Sequence, residues 1–139
     1  LAAASGVLAE MHTVEFYNLC GSGTPVLMQN GVVLSTGAAY TSDGPLMSIL
    51  AFLQTGACGP NGENCTVVQA NLTNPTCVGC GSAAAVNLFP PYAFSKTTGL
   101  GFYNGCDGAG IDCTSPSCPI YDVTTGLRTV RCQTDNVSL

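Results

Sequence analysis

Nine cysteines in 139 residues constrain this chain more than any other feature. Only one histidine, His12, accompanies them, so metal sites would have to be built from cysteine alone. A density this high points to a disulfide framework made in an oxidising compartment. Cys58 and Cys65 enclose Gly59-Pro60-Asn61-Gly62-Glu63-Asn64. That gap exceeds the roughly two to four residues of a zinc knuckle, and it is not the C-x-x-C spacing of a redox pair. Glycine and asparagine accept the tight backbone angles of a short closed loop, so the pair reads as a staple. Cys77-Val78-Gly79-Cys80 does have C-x-x-C spacing, but no βαβ pattern surrounds it, and it reads as a small local bridge.

The length fits a single domain, spanning 10–139, and allows roughly two-thirds of the unfolded surface to be buried. Charged residues make up 8% of the chain, against about 25% in an ordinary soluble domain. The net charge is −5, with Lys96, Arg128 and Arg131 as the basic residues. No basic stripe exists to neutralise phosphates, which argues against nucleic acid and an anionic membrane surface as partners. Solubility falls to Ser, Thr, Asn and glycans. N-glycosylation sequons begin at Asn64, Asn71 and Asn136, with Asn71 the best placed because the middle residue after Asn64 is a cysteine expected to be bridged. The first nine residues, LAAASGVLA, resemble the tail of a secretory signal, with Val7 and Ala9 at the small-residue cleavage positions. The alternative is a retained apolar segment that must pack against something. No stretch approaches the about 18 apolar residues of a membrane-spanning helix.

Hydrophobic patterning predicts strands at 13–20, 25–29, 32–35, 65–72, 84–89, 129–133 and 136–139. Asn30-Gly31 is a strong two-residue hairpin signal between the second and third. The run from Pro45 to Leu53 fits a strand or a short helix; its β neighbours favour strand. Beyond residue 95 the chain is rich in Gly, Cys and Thr and reads as a stapled loop region. The fold class is therefore all-β: a disulfide-rich sandwich with a Cys/Gly-rich loop region.

Thr55-Gly56-Ala57-Cys58-Gly59, followed by Cys65, resembles the signature of the thaumatin-like family, which runs approximately C-x-T-G-D-C-G…C into a strand. Phe16, Asn18 and Cys20 are similar to that family's opening strand, Leu34 to Gly37 to its hairpin return, and Gly101 to Asn104 to its "GFN" segment. Cys106, Cys113 and Cys118 resemble its central cysteine cluster, and Cys132 its cysteine before the final strand. The chain is shorter than the common plant members and is more similar to the small secreted fungal glycoproteins distantly related to them. The resemblance implies a thaumatin-like sandwich with bridges Cys58–Cys65, Cys77–Cys80, Cys106–Cys132 and Cys113–Cys118. It leaves Cys20 unpaired, since the family partner lies at the extreme C-terminus. A chain lacking its last few residues, a free thiol and an intermolecular bridge are the three explanations. Two departures bear on activity. Leu53 and Ala57 stand where the signature has Cys and Asp, and Gln69 and Ala85 stand where glucan-cleaving relatives carry cleft acids.

Glycoside hydrolysis normally needs two carboxylates across one cleft. The acids to consider are Glu15, Asp43, Glu63, Asp107, Asp112 and Asp122. Asp107 and Asp112 flank Gly108-Ala109-Gly110 and could share a groove, although Asp before Gly is also ordinary turn chemistry. His12 would have to serve any nucleophilic triad, from near one end of the chain. Gly99-Leu100-Gly101 lacks the strand–helix context of a nucleotide site, and no cofactor or metal is expected. Tyr92, Phe94, Phe102 and Tyr103 could form a sugar-stacking platform or simply pack the core. The expectation is a secreted, noncatalytic cell-wall or extracellular glycoprotein, binding β-glucan or serving in defence. The alternatives are a self-assembling extracellular structural protein, forming homo-oligomers by strand exchange, and a weak β-1,3-glucanase.

Overall fold

Asn30 and Gly31 both take positive φ, 49° and 79°, the backbone that a tight two-residue hairpin turn requires. The structure, a computed structural model, describes residues 9–118 and 127–139. The apolar segment expected at 1–9 therefore falls, apart from Ala9, outside the described residues, as does Asp122. The strands are β1 (Met11–Val14), β2 (Thr24–Gln29), β3 (Val32–Ser35), β4 (Tyr40–Asp43), β5 (Leu46–Gln54), β6 (Val67–Leu72), β7 (Ser82–Asn87), β8 (Thr98–Gly101), β9 (Gly110–Cys113) and β10 (Thr129–Cys132). No helix occurs among the described residues, and the fold is all-β and disulfide-rich. Six antiparallel strands form the main sheet in the order β10-β7-β6-β5-β2-β3, while β1 pairs with β4 and β8 with β9 as separate ribbons. The run after Pro45 is strand, carrying a bulge between Leu46 and Ile49.

Side-chain alternation divides the main sheet into two unlike faces. On one face, Leu27, Ala51, Val68 and Val86 stand opposite one another across four strands. The next row is Ile49, Ala70, Ala84 and Val130. Val14, Phe102 and Val137 cover one end of this face, and Ile111, Cys113 and Cys118 cover the other. On the opposite face a smaller cluster, Met28, Phe52 and Val67, is buried with Cys58 and Tyr92 packed against it. Gly62, in the loop between Cys58 and Cys65, lies on this cluster with φ +81°, and a Cβ there would fall 2.7 Å from Val67 Cγ1. Both the backbone angle and the close approach call for glycine.

The bridges are Cys58–Cys65, Cys77–Cys80, Cys106–Cys132 and Cys113–Cys118, and Cys20 is free and exposed. Three features differ from the sequence reading. The first strand stops at Val14 rather than running to Cys20, because its partner β4 begins at Tyr40 and the chain then bonds Leu139; farther on, the Asn18 amide donates to the carbonyls of Ser22 and Gly23 at 3.0 and 3.3 Å and turns the chain back. Strands β4, β8 and β9 were not anticipated, and the region beyond residue 95 contains the β8–β9 ribbon as well as loops. Residues 137–139 form a linking segment rather than a sheet strand. Ser138 exchanges backbone bonds with Tyr103, and the Leu139 N–H donates to Thr13 while the Leu139 carbonyl accepts from Glu15.

Candidate functional site

Because β1 ends at Val14, residues 15–20 leave the ribbon and stand apart from β8. An open groove of about 570 Å3 lies between them. Its floor is Ala51, Leu53 and Val68 of the main sheet, and one wall is Thr98–Gly101 of β8. The other wall is held by local chemistry. Asn18 ties the loop through its amide, its Oδ1 accepts from the Cys20 N–H at 3.1 Å, and Gly23 packs onto Leu53. Tyr17 is 83% exposed, and its hydroxyl donates to Glu15 Oε2 at 3.2 Å. Glu15 and Lys96 are the charged side chains among the described residues lining the groove.

Tyr103 closes one end. Its hydroxyl oxygen is buried near the Glu15 and Ser138 side chains, without a hydrogen bond of good geometry to either. Burial, reinforced by the nearby Glu15 carboxylate, raises the phenol above its ordinary pKa of 10.0, against a smaller opposing influence from Ser138.

The four aromatics singled out in the sequence do not share a surface. Phe102 is 3% exposed, inside the main core. Phe94 packs beside Val68, Val86 and Ile111, and Tyr92 packs on the other face of the sheet. Only Tyr103 reaches the groove, where Phe16 and Tyr17 join it. The sequence pattern places those two within a strand over 13–20. The signal that marks them is an aromatic pair followed by Asn18 and a glycine-rich turn, a pattern suited to ending a strand and displaying what precedes it.

The acids are also scattered. Asp107 Oδ1 accepts the Gly105 N–H at 2.9 Å and shapes a turn. Asp112 is exposed on β9 opposite Gly99. Neither lines the groove, and neither do Asp43 and Glu63; Glu63 instead accepts the Asn61 N–H in the stapled loop. Gln69 and Ala85, where the resemblance leads one to look for cleft acids, are direct partners across β6 and β7. Gln69 Oε1 accepts from the Asn87 amide at 3.1 Å. Val68 faces the groove, so alternation turns Gln69 to the opposite face of the sheet.

His12 is 1% exposed and belongs to a structural knot. Its Nδ1 lies 2.8 Å from the Val137 carbonyl and its Nε2 lies 3.0 Å from Glu10 Oε1. The ring thus bridges the Val137 carbonyl and the Glu10 carboxylate. Glu10 Oε1 also accepts the Asn74 N–H at 2.7 Å, and Asn74 is bonded in turn to Asn136. Desolvation pushes the Glu10 carboxyl upward, but the Asn74 bond and His12 outweigh it and leave the pKa below 4.5. No cluster of three or more His, Cys, Asp or Glu arranged to hold a metal occurs among the described residues.

The sequons differ in exposure. Asn71 is exposed, with Oδ1 accepting from the Ser48 N–H, whereas Thr66 and Ser138, the hydroxyl residues of the sequons at Asn64 and Asn136, are each 3% exposed. No described helix is long and apolar enough to cross a membrane. Comparison of the chain with family models, with curated proteins and with solved structures gives no match.

Proposed function

We propose that this is a secreted, noncatalytic carbohydrate-binding protein of a cell wall or extracellular matrix, with a thaumatin-like sandwich as scaffold and a neutral glucan as ligand. The groove beside residues 15–20 carries the reading. It has an apolar floor and is edged by Phe16, Tyr17 and Tyr103. Aromatic faces pack on pyranose rings, and the Thr97 and Thr98 hydroxyl oxygens can accept from sugar hydroxyls, Thr98 while donating to the Lys96 carbonyl. One carboxylate, Glu15, lines it, whereas hydrolysis normally uses two across a cleft. Four disulfides and three sequons suit an oxidising, glycosylating route, and Asn71 is the site for an N-glycan.

The test is retention on insoluble β-1,3-glucan, with a Tyr17→Ala variant alongside. The expected result is retention of the native protein, loss of at least several-fold with Tyr17→Ala, and no reducing sugar released from laminarin. No retention of the native protein contradicts the proposal. Sugar release abolished by Asp107→Asn or Asp112→Asn would support the glucanase instead.

Self-assembly as a structural protein is the second reading. The observation that favours it is the sheet edge: β3 is terminal in the strand order, with Val32 62% and Val33 51% exposed. Unpaired, apolar edges recruit further strands. Electron microscopy of native material showing only monomers would remove this reading.

A further inference from the structure

We infer that the Cys77–Cys80 bridge is an acceptor for thiol–disulfide exchange, and that the Cys20 thiol of a second copy of this chain is its donor. The four bridges are not equally protected. Cys65 and Cys113 are 0% exposed, Cys132 is 1% and Cys118 is 9%, so three bridges each have a sulfur inside the protein. Both residues of Cys77–Cys80 are exposed, in the loop between β6 and β7. Cys77 also edges a surface hollow of about 460 Å3, shared with Pro75, Thr76, Val78, Gly79 and Gln133. An attacking sulfur can approach there without unfolding the chain, and access is one determinant of exchange rate.

The donor is defined equally well. Cys20 is exposed and is the one cysteine without a bridge. It follows Leu19, 94% exposed, and precedes Gly21, while the hollow presents Val78, fully exposed, and no charged side chain. An uncharged apolar tip thus meets an uncharged apolar hollow. The reaction must be between copies. Cys20 lies at the Thr24–Gln54 end of β2 and β5, and the Cys77 loop follows Leu72 at the Leu46 end. The nine residues of β5 separate those ends by about 26 Å.

The step balances without an oxidant. The Cys20 thiolate attacks Cys77 Sγ, a Cys20–Cys77 disulfide forms, and the Cys77–Cys80 bond breaks with its electron pair leaving on Cys80. Water carries the proton released by Cys20 to Cys80. Thiols are conserved, one for each chain. Every copy carries both donor and acceptor, so the contact is head-to-tail and propagates into chains.

The experiment uses the protein with native disulfides, concentrated at pH 8.5 under anaerobic conditions with a chelator, then quenched with iodoacetamide. The expected result is a non-reducing gel ladder, one titratable thiol per chain throughout, and mapped Cys20–Cys77 peptides with alkyl-labelled Cys80. Both Cys20→Ser and the double variant Cys77→Ala/Cys80→Ala abolish the ladder; Cys20→Ser leaves every bridge intact and so serves even if the double variant misfolds. No ladder from native protein, a ladder joined through Cys20–Cys20 with thiols consumed, or a ladder surviving in either folded variant overturns the inference. So does a native protein with no titratable thiol.

Discussion

The two faces of the six-stranded sheet are held by different physics. One is covered by protein: two ribbons and the 137–139 segment bury Leu27, Ile49, Leu72, Ala84 and Val86. The other has a smaller cluster of Met28, Phe52 and Val67, with Tyr92 and the loop closed by Cys58–Cys65 packed on it, and leaves Val33 half exposed at the sheet edge. Burying a leucine contributes roughly 1.5–3 kcal/mol through apolar area. A short covalent loop contributes by limiting the unfolded chain, whatever area it covers. The covered face therefore depends on packing, and the stapled face on a crosslink. A chain with so few charges leaves its remaining surface to uncharged polar groups, and Glu10 and His12 form a polar knot beside the covering segment 137–139.

The comparison breaks first at Leu72, fully buried on the covered face. Leu72→Ala is expected to lower stability by about 2–5 kcal/mol in denaturant titration, since no neighbour can fill the space. A cost below about 1 kcal/mol would mean the covered face is loosely packed. Next is the staple. Cys58→Ala/Cys65→Ala is expected to cost about 2–3 kcal/mol, the loop-closure value for so short a ring. Circular dichroism should keep the main-sheet signal while proteolysis opens the 58–65 loop. Loss of the whole sheet would show that both faces depend on the bridge.

The smallest effect belongs to the polar knot. The Glu10 carboxyl has a lowered folded pKa, so its contribution is present above the unfolded value of 4.5 and lost as pH falls through the folded one. Acid titration of stability should show that loss in the native protein. Glu10→Gln should flatten the acid limb and cost about 1 kcal/mol at neutral pH, the typical net value of one hydrogen bond. An unchanged acid limb would remove Glu10 from the account.

The strands of the main sheet were legible because they are apolar and their turns are punctuated. Asn30-Gly31 carries its own turn geometry, and β5 to β7 are runs of apolar residues bounded by Gly, Pro or Ser. The ribbons were not legible. Tyr40-Thr41-Ser42-Asp43 and Thr98-Gly99-Leu100-Gly101 have little apolar alternation; the first becomes a strand by pairing with β1, the second by pairing with β9, whose Cys113 is bridged to Cys118. Residues 15–20 show the reverse. Phe16-Tyr17-Asn18-Leu19 has strand composition, yet Asn18 bonds its own following turn, and the groove exists because the strand stops early. The aromatics failed as a group for a related reason: sequence proximity of Phe102 and Tyr103 hides that neighbours on an extended chain point to opposite sides, one inward and one to the groove.

Peptide mapping of the unreduced, alkylated protein tests the central claim most directly, since every part of the comparison assumes a fixed set of crosslinks. The account predicts monomer peptides joined as Cys58–Cys65, Cys77–Cys80, Cys106–Cys132 and Cys113–Cys118, with the alkyl label on Cys20. A different pairing within the monomer, or label spread over several cysteines, would contradict it.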